Sequence, residues 1–248
     1  MGGKHAAAEK LIALFPEHTC YVEVFGGAAN VLFAKERSKS EVLNDLNDQL
    51  VNVFRVIRWH PDEFFAELRL ILHSRTEFND CHDQPGLTDI QRAVRYFYRL
   101  KTSFGGTGVK AHKNFSFGTC RKATFNTSAE ETIEQAHRRL DGVCIENDDF
   151  EKIIKRYDRS HTFFFVDPPY WQTADYGIKF DWTDHTRLKN NLASIKGKFL
   201  LTINNHDDIV ELYRDFYQQQ TKVRYTVCHD DHNQQVTELI ITNYPLKR

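Results

Sequence analysis

The chain has 248 residues, 41% of them apolar, with 33 Lys+Arg against 34 Asp+Glu and a net charge of -1. At roughly 100–200 residues per domain this is one large domain, or a core domain carrying a smaller insertion. No apolar run approaches the ~20 residues of a membrane helix, and the charged and aromatic content is that of a folded globular protein, so membrane-spanning and disordered chains are excluded. A near-zero charge also argues, at first sight, against a nucleic-acid partner, because phosphate contacts draw on a surplus of Lys and Arg.

The chain opens on Met1-Gly2-Gly3-Lys4-His5-Ala6, which has no apolar signal core and predicts a cytoplasmic protein. Residues 20–45 read as strand (Cys20–Phe25), glycine turn, helix (Ala28–Arg37) and strand (Glu41–Asp45), a βαβ unit. Asp48–Trp59 repeats apolar positions at three and four and predicts a helix. From about Pro61 to Asp158 the alternation lapses into charged helical stretches and a Gly-rich segment around Phe104–Gly108. It resumes with a strand (Phe163–Val166), a helix (Asp184–Ile195), a strand (Lys198–Ile203), a helix (Asp207–Phe216) and two closing strands (Lys222–Cys228 and Val236–Thr242). The two ends therefore join into one sheet with helices on both faces, and residues 60–158 are inserted between its strands. Five widely spaced cysteines without a Cys-x-x-Cys predict reduced thiols and no zinc site. His229-Asp230-Asp231-His232, in the expected final hairpin, reads as a solvated turn.

Three segments carry chemistry. Asp167-Pro168-Pro169-Tyr170 directly follows a buried apolar run, which puts the acid at the carboxyl end of the sheet, where open α/β folds bind ligands. The prolines fix φ and lack N–H groups, so the loop is stiff and its carbonyls stay open to donors. An acidic acceptor, a rigid carbonyl and an aromatic face together suit a planar ring bearing an exocyclic amine. Glu23-Val24-Phe25-Gly26-Gly27-Ala28-Ala29, at the first strand-to-helix turn, lets a ligand approach bare backbone, although tight turns use glycine for their own reasons. Asn44-Asp45-Leu46-Asn47 ends the second strand about 20 residues on, where an acid can take both hydroxyls of a ribose or a residue can cap the next helix.

In this order, with Gly2-Gly3-Lys4 ahead of them, these motifs resemble those of the Dam-type (D12, α-group) DNA adenine-N6 methyltransferases of phages and restriction-modification systems. Leu200–Asn205, Glu211–Tyr213 and Glu238–Tyr244 resemble the family's last strands and helix, so the likeness spans nearly the whole chain. Val24 stands where the family has proline, and Ala29 where it has a third turn glycine. The resemblance implies a Rossmann-like class I methyltransferase fold, a mixed α/β sheet with helices on both faces plus an inserted, mainly helical DNA-recognition domain. Residues 1–59 and 159–248 would form the S-adenosyl-L-methionine-binding catalytic domain, and 60–158 the target-recognition domain.

The resemblance also implies site-specific methyl transfer to N6 of a flipped adenine in double-stranded DNA, without a metal. Asp45 would hold the ribose. Glu23, Phe25, Gly26, Gly27 and Leu46 would line the cofactor, with Gly3 and Lys4 near its methionine end, and Asp167 would bridge cofactor and substrate. The adenine amine would donate to Asp167 and the Pro168 carbonyl, Pro169 would stiffen the loop, and Tyr170 would stack on the base. Such a protein would be a monomer or weak dimer in the cytoplasm of a bacterial or phage-infected cell, with a restriction endonuclease as a functional partner. The residue chemistry leaves open RNA adenine or DNA cytosine-N4 as target, and the departures at Val24 and Ala29 leave open a catalytically weakened DNA-binding homologue.

The net charge conceals an asymmetry. Residues 91–122 hold eight basic residues (Arg92, Arg95, Arg99, Lys101, Lys110, Lys113, Arg121, Lys122) and no acid, which leaves the other 216 residues with an excess of nine negative charges. Interleaved with Tyr96, Phe97, Tyr98, Phe104, Phe115 and Phe117, they suit phosphate contact and base stacking, against the alternative of a solvated helix face over a few core rings.

Overall fold

The apolar runs that begin at Cys20 and Thr162 lie side by side near the centre of one seven-stranded sheet and are fully buried, as strands covered on both faces must be. The computed structural model describes residues 5–103, 115–116, 128–173, 180–224 and 235–246. In chain order its elements are α1 (His5–Ile12), β1 (Cys20–Glu23), α2 (Asn30–Ala34), β2 (Ser40–Asn44), α3 (Asp48–Trp59), α4 (Pro61–Leu70), α5 (Arg75–Asp83), α6 (Asp89–Thr102), α7 (Ser128–Arg139), β3 (Val143–Glu146), α8 (Phe150–Tyr157), β4 (Thr162–Val166), α9 (Trp182–Ala193), β5 (Lys198–Asn204), α10 (Asp207–Leu212), β6 (Tyr217–Arg224) and β7 (Gln235–Thr242).

The strand order is β3-β2-β1-β4-β5-β7-β6. The first five strands in that order are parallel, and β7 runs antiparallel to both β5 and β6. This is the mixed sheet that the resemblance implies. One face is covered by α8, α9 and α10, whose Ile153, Ile154, Leu188, Leu192 and Ile209 pack against Val22, Val24, Phe164 and Leu201. On the other face Phe15 stacks among Tyr21, Phe163 and Phe165. The chain leaves β1 toward β2 on one side and re-enters at β4 on the other, so a topological switch point lies between the carboxyl ends of β1 and β4.

The described residues fall into two compact units, one of helices over Asn47–Asp141 and one built on the sheet from the residues before and after it. The helical unit is held by α6, which buries Ala93, Val94, Tyr96, Phe97 and Tyr98. The Tyr98 hydroxyl donates to the carbonyl of Leu72 at 2.9 Å.

These boundaries differ from those read off the sequence. Helix α3 falls in the helical unit, while β3 and α8, inside the expected 60–158 insertion, belong to the sheet unit. The helix expected over 207–216 ends at Leu212, and the strand expected from Lys222 begins at Tyr217. The two strands that the sequence conceals are the sheet's two edges: β3 is four residues long and partly solvated, and β6 opens on Tyr217-Gln-Gln-Gln, so neither carries the longer apolar run of β4 or β5. The end of the last hairpin, with His229 to His232, lies outside the described residues.

Candidate active site

The turn after β1 is shaped by two glycines with different duties. A Cβ on Gly26 would lie 2.7 Å from Leu43 Cδ1 and 2.9 Å from the Asn44 carbonyl, so only glycine fits against β2. Gly27 has φ +48 and would meet nothing within 4 Å, so its backbone faces open space. Its N–H donates to Asp45 Oδ2 at 2.8 Å, joining the turn to the acid at the end of β2. Ala29, where the family has its third turn glycine, keeps the left-handed conformation at φ 53 and caps α2 without a side-chain hydrogen bond.

The missing cap comes from Glu23. Its Oε2 accepts from the Leu32 N–H in the first turn of α2 at 3.0 Å and from the Tyr21 hydroxyl at 2.7 Å. Burial is the main cause that raises its pKa to about 8. Glu23 thus lies beneath the turn and fixes it from below. Leu46, beside Asp45, is 54% exposed.

Asn44 is the hub of this end of the sheet. Its buried amide donates to the carbonyls of Val24 (2.9 Å) and Asp148 (3.0 Å) and accepts from the Asp148 N–H (3.0 Å). Asn147 donates to the Asp45 carbonyl at 2.8 Å. The loop after β3 is therefore tied alongside Asp45. Next in the chain, Phe150 joins Phe25 and Phe180 in a cluster of rings 5.7–5.8 Å apart. Sequence reasoning left Asn147–Phe150 in the insertion. The available signal was a short apolar run, Val143–Ile145, followed by an Asn and acids, as Val42–Leu43 is followed by Asn44 and Asp45 at β2.

Across the switch point, β4 delivers Asp167, whose Oδ1 accepts from the buried Thr202 hydroxyl of β5 at 2.9 Å. Pro168 is buried, and Pro169 and Tyr170 are half-buried. The Tyr170 hydroxyl donates to Glu238 on β7. Asn204 of β5 clamps the next residue twice, accepting from the Trp171 N–H and donating to its carbonyl, both at 2.9 Å. The Trp171 indole N–H reaches Asp208 at 3.0 Å. Beneath Trp171, His185 of α9 meets Trp171 and Phe180 edge-on, and neither of its ring nitrogens has a hydrogen-bond partner among the described residues.

The glycine turn, Asp45 and Asp167–Tyr170 thus share the carboxyl end of one sheet. Gly3 and Lys4 lie outside the described residues, as do Lys110, Lys113, Arg121 and Lys122. The basic residues of α6 separate into two groups. Arg92 is exposed, paired with Asp89 and donating to the Leu87 carbonyl at 3.1 Å, and Arg95 reaches the Gln84 carbonyl. Arg99, expected at a DNA surface, is only 7% exposed, and burial depresses its pKa. Lys101 lies over the Phe97 ring at 5.6 Å, half-buried.

The residues at the switch point fit an adenosyl cofactor: bare backbone opening on space at Gly27, a carboxylate fixed beside it at Asp45, and a half-buried ring at Phe25. Known proteins agree with that chemistry. The Type II methyltransferase M1.LlaDCHI of Lactococcus lactis is 26% identical over 98% of this chain and 93% of its own length. The Type II methyltransferase M.CviBI of Paramecium bursaria Chlorella virus NC1A is 27% identical over 98% and 97%, and the DNA adenine methylase of Serratia marcescens 24% identical over 92% and 90%. Among solved structures, a putative RNA methyltransferase from Pyrococcus horikoshii aligns over 96% of this chain and 81% of its own at 7% identity, with a TM-score of 0.44. The profile of the D12 class N6 adenine-specific DNA methyltransferases matches residues 1–227, and the chain belongs to that family.

Proposed function

We propose that the carboxyl end of the sheet holds S-adenosylmethionine across the β1–β4 switch point and presents its methyl group to N6 of an adenine seated at Asp167–Tyr170. The observation that carries this assignment is Asp167 itself, fixed by Thr202 on a proline-stiffened loop at the same sheet end as Gly26, Gly27 and Asp45. Bound S-adenosylmethionine supplies an electrophilic sulfonium methyl group. Asp45 takes the ribose hydroxyls, and the backbone of Phe25–Gly27 lies along the cofactor. Leu46 and the Asn147–Phe150 loop border its nucleoside end, and Gly3 and Lys4 belong to its methionine end. Glu23 acts from below by keeping the turn in place.

The chemistry asked of the protein is to free a lone pair that is delocalised into adenine. Hydrogen bonds from N6 to Asp167 and to the Pro168 carbonyl draw the nitrogen toward tetrahedral geometry. With the cofactor bound, that lone pair would accept the methyl group while the methyl–sulfur bonding pair stayed with the sulfur, and Asp167 would receive the surplus N6 proton. Positioning and preorganised electrostatics supply the rate. In a duplex the target base must first leave the stack, at a cost of about a few kcal/mol, which stacking on Tyr170 offsets in part.

The helical unit is the part we assign to target recognition on double-stranded DNA, with Arg92, Arg95, Lys101, Lys110, Lys113, Arg121 and Lys122 as its phosphate contacts. Kinship with Type II methyltransferases points to a restriction endonuclease of the same specificity as functional partner. The protein would act as a monomer or weak dimer in a bacterial or phage-infected cytoplasm. Incubation with labelled S-adenosylmethionine and unmethylated genomic DNA, followed by nucleoside analysis, should yield N6-methyldeoxyadenosine. Label confined to N4-methyldeoxycytidine or to RNA would overturn the reading.

A further inference from the structure

A glutamate has no ordinary place in the middle of a buried strand. Glu238 is 1% exposed within β7, followed by the buried Leu239, Ile240 and Ile241. Taking a carboxyl group out of water is costly unless specific partners receive it, so its presence calls for a partner that makes use of it. Among the described residues the Tyr170 hydroxyl, 68 residues earlier in the chain, donates to it.

The sheet register shows that Glu238 is part of a layer. Glu238 pairs with Asn204 on β5 and with Thr221 on β6. Thr202 and Asn204 are two residues apart and share a face of β5, the face on which Glu238 also lies, because directly paired residues of neighbouring strands point to the same side. Each of the three engages a different part of the loop after β4: Thr202 the Asp167 carboxylate, Asn204 the Trp171 backbone, and Glu238 the far end of the Tyr170 ring. Thr202 and Asn204 fix the acid and the backbone. A tyrosine ring held only at its Cβ can still swing and turn; anchoring its hydroxyl fixes where the ring points and, because the phenolic O–H lies in the ring plane, turns that plane toward the acceptor.

We propose that Glu238 is a positioning residue for methyl transfer, holding the plane of the Tyr170 ring against the target adenine through the Tyr170 hydroxyl. The inference rests on the assignment of Asp167–Tyr170 as the substrate site. It is tested by a double-mutant cycle on purified protein with labelled S-adenosylmethionine and unmethylated genomic DNA. Tyr170→Phe and Glu238→Ala should each lower kcat by roughly tenfold or more, the order expected for losing a hydrogen bond to a charged group. KM for the cofactor should change little, and the double variant should be no slower than the slower single. Glu238→Gln, which keeps an acceptor in the same volume, should recover kcat to within about threefold of the parent, given the weaker neutral bond. If Glu238→Ala does not fold, Glu238→Met supplies similar bulk without an acceptor and completes the cycle.

Losses that multiply in the double variant would overturn the inference. So would a Glu238 variant that loses thermal stability but keeps its kcat at a permissive temperature. If Asp167→Ala abolishes transfer while the Glu238 variants are silent, the substrate site stands and this role for Glu238 falls. If Asp167→Ala and Tyr170→Phe are both silent, the site assignment itself fails.

Discussion

The loop after β4 and helix α6 are both rich in residues of functional type, yet residue type alone is a reliable guide in only one of them. In the loop, two prolines and a strand end determine the backbone within four residues, so Asp167 and Tyr170 have little choice of position. On α6, position depends on what the rest of the unit packs against the helix. Arg92 and Arg99 are seven residues apart, two turns of helix, and so lie on nearly the same side. Even so, Arg92 is exposed beside Asp89, and Arg99 is buried near the Tyr96 ring. A charge count over 91–122 omits Asp89 by two residues and treats both arginines alike.

The sharpest test of the loop is Asp167→Ala. It should lower methyl transfer by about a hundred- to a thousandfold or more, as loss of a preorganised group at the reacting atom does. The circular dichroism spectrum should be unchanged, because Asp167 is half-buried and lies in the loop after β4 rather than within a strand or helix. A variant that keeps its activity would reduce the loop to a structural strand exit. Asp45→Ala extends the test to the other side of the switch point. Removing a charge-assisted hydrogen-bond partner should weaken S-adenosylmethionine binding roughly ten- to a hundredfold by calorimetry. An unchanged affinity would give Asp45 a structural role in the turn, through its bond to Gly27, in place of the ribose.

The same contrast explains how much of the molecule is legible in its sequence. The central strands β1, β4 and β5 announce themselves because burial on both faces favours continuous apolar runs. The edges do not: β3 is a four-residue strand, and β6 begins Tyr217-Gln-Gln-Gln because only β7 borders it. Missing β3 hides the Asn147–Phe150 loop, and with it one wall of the site. Asn44 and Glu23 are visible as motif letters. Their work as a hub and as a stand-in cap depends on Asp148, Val24 and Leu32, up to 104 residues away.

The helical unit can be tested by separating Arg92 from Arg99. Arg92→Ala should weaken DNA binding modestly and lower the slope of log K against log salt by about 1, with an unchanged melting temperature. Arg99→Ala should do the reverse, lowering stability by about 1–3 kcal/mol through lost packing and a disturbed buried site while leaving the salt slope intact. Equal salt effects from both would mean that α6 presents one basic face after all.

The smallest effect concerns the support under the loop. His185 is fully buried, its ring nitrogens unpartnered among the described residues, between Trp171 and Phe180 and close to Asp181 and Asp184. Burial is the main cause that depresses its pKa from 6.5 to about 4, and the two aspartates oppose the shift only in part. Between those two values the unfolded chain binds a proton that the folded chain refuses, so the contribution of His185 to stability falls as pH drops from about 6.5 toward 4, by at most about 1.4 kcal/mol per pH unit, while buried Glu23, raised to about 8, contributes the opposite trend over the same range. The carboxylates of Asp148 and Glu151, held below their ordinary range mainly by hydrogen bonds from Lys152 and Lys155, add their own losses only at the acid end of that window. A His185→Phe variant keeps the aromatic packing and removes the proton. Its melting temperature should therefore fall less, or rise more, than the parent's between pH 6.5 and 5, and the difference between the two profiles should stop changing above pH 7. Parallel profiles would show that the ring is protonated in place at no cost, and that the aromatic box under Trp171 is open to water.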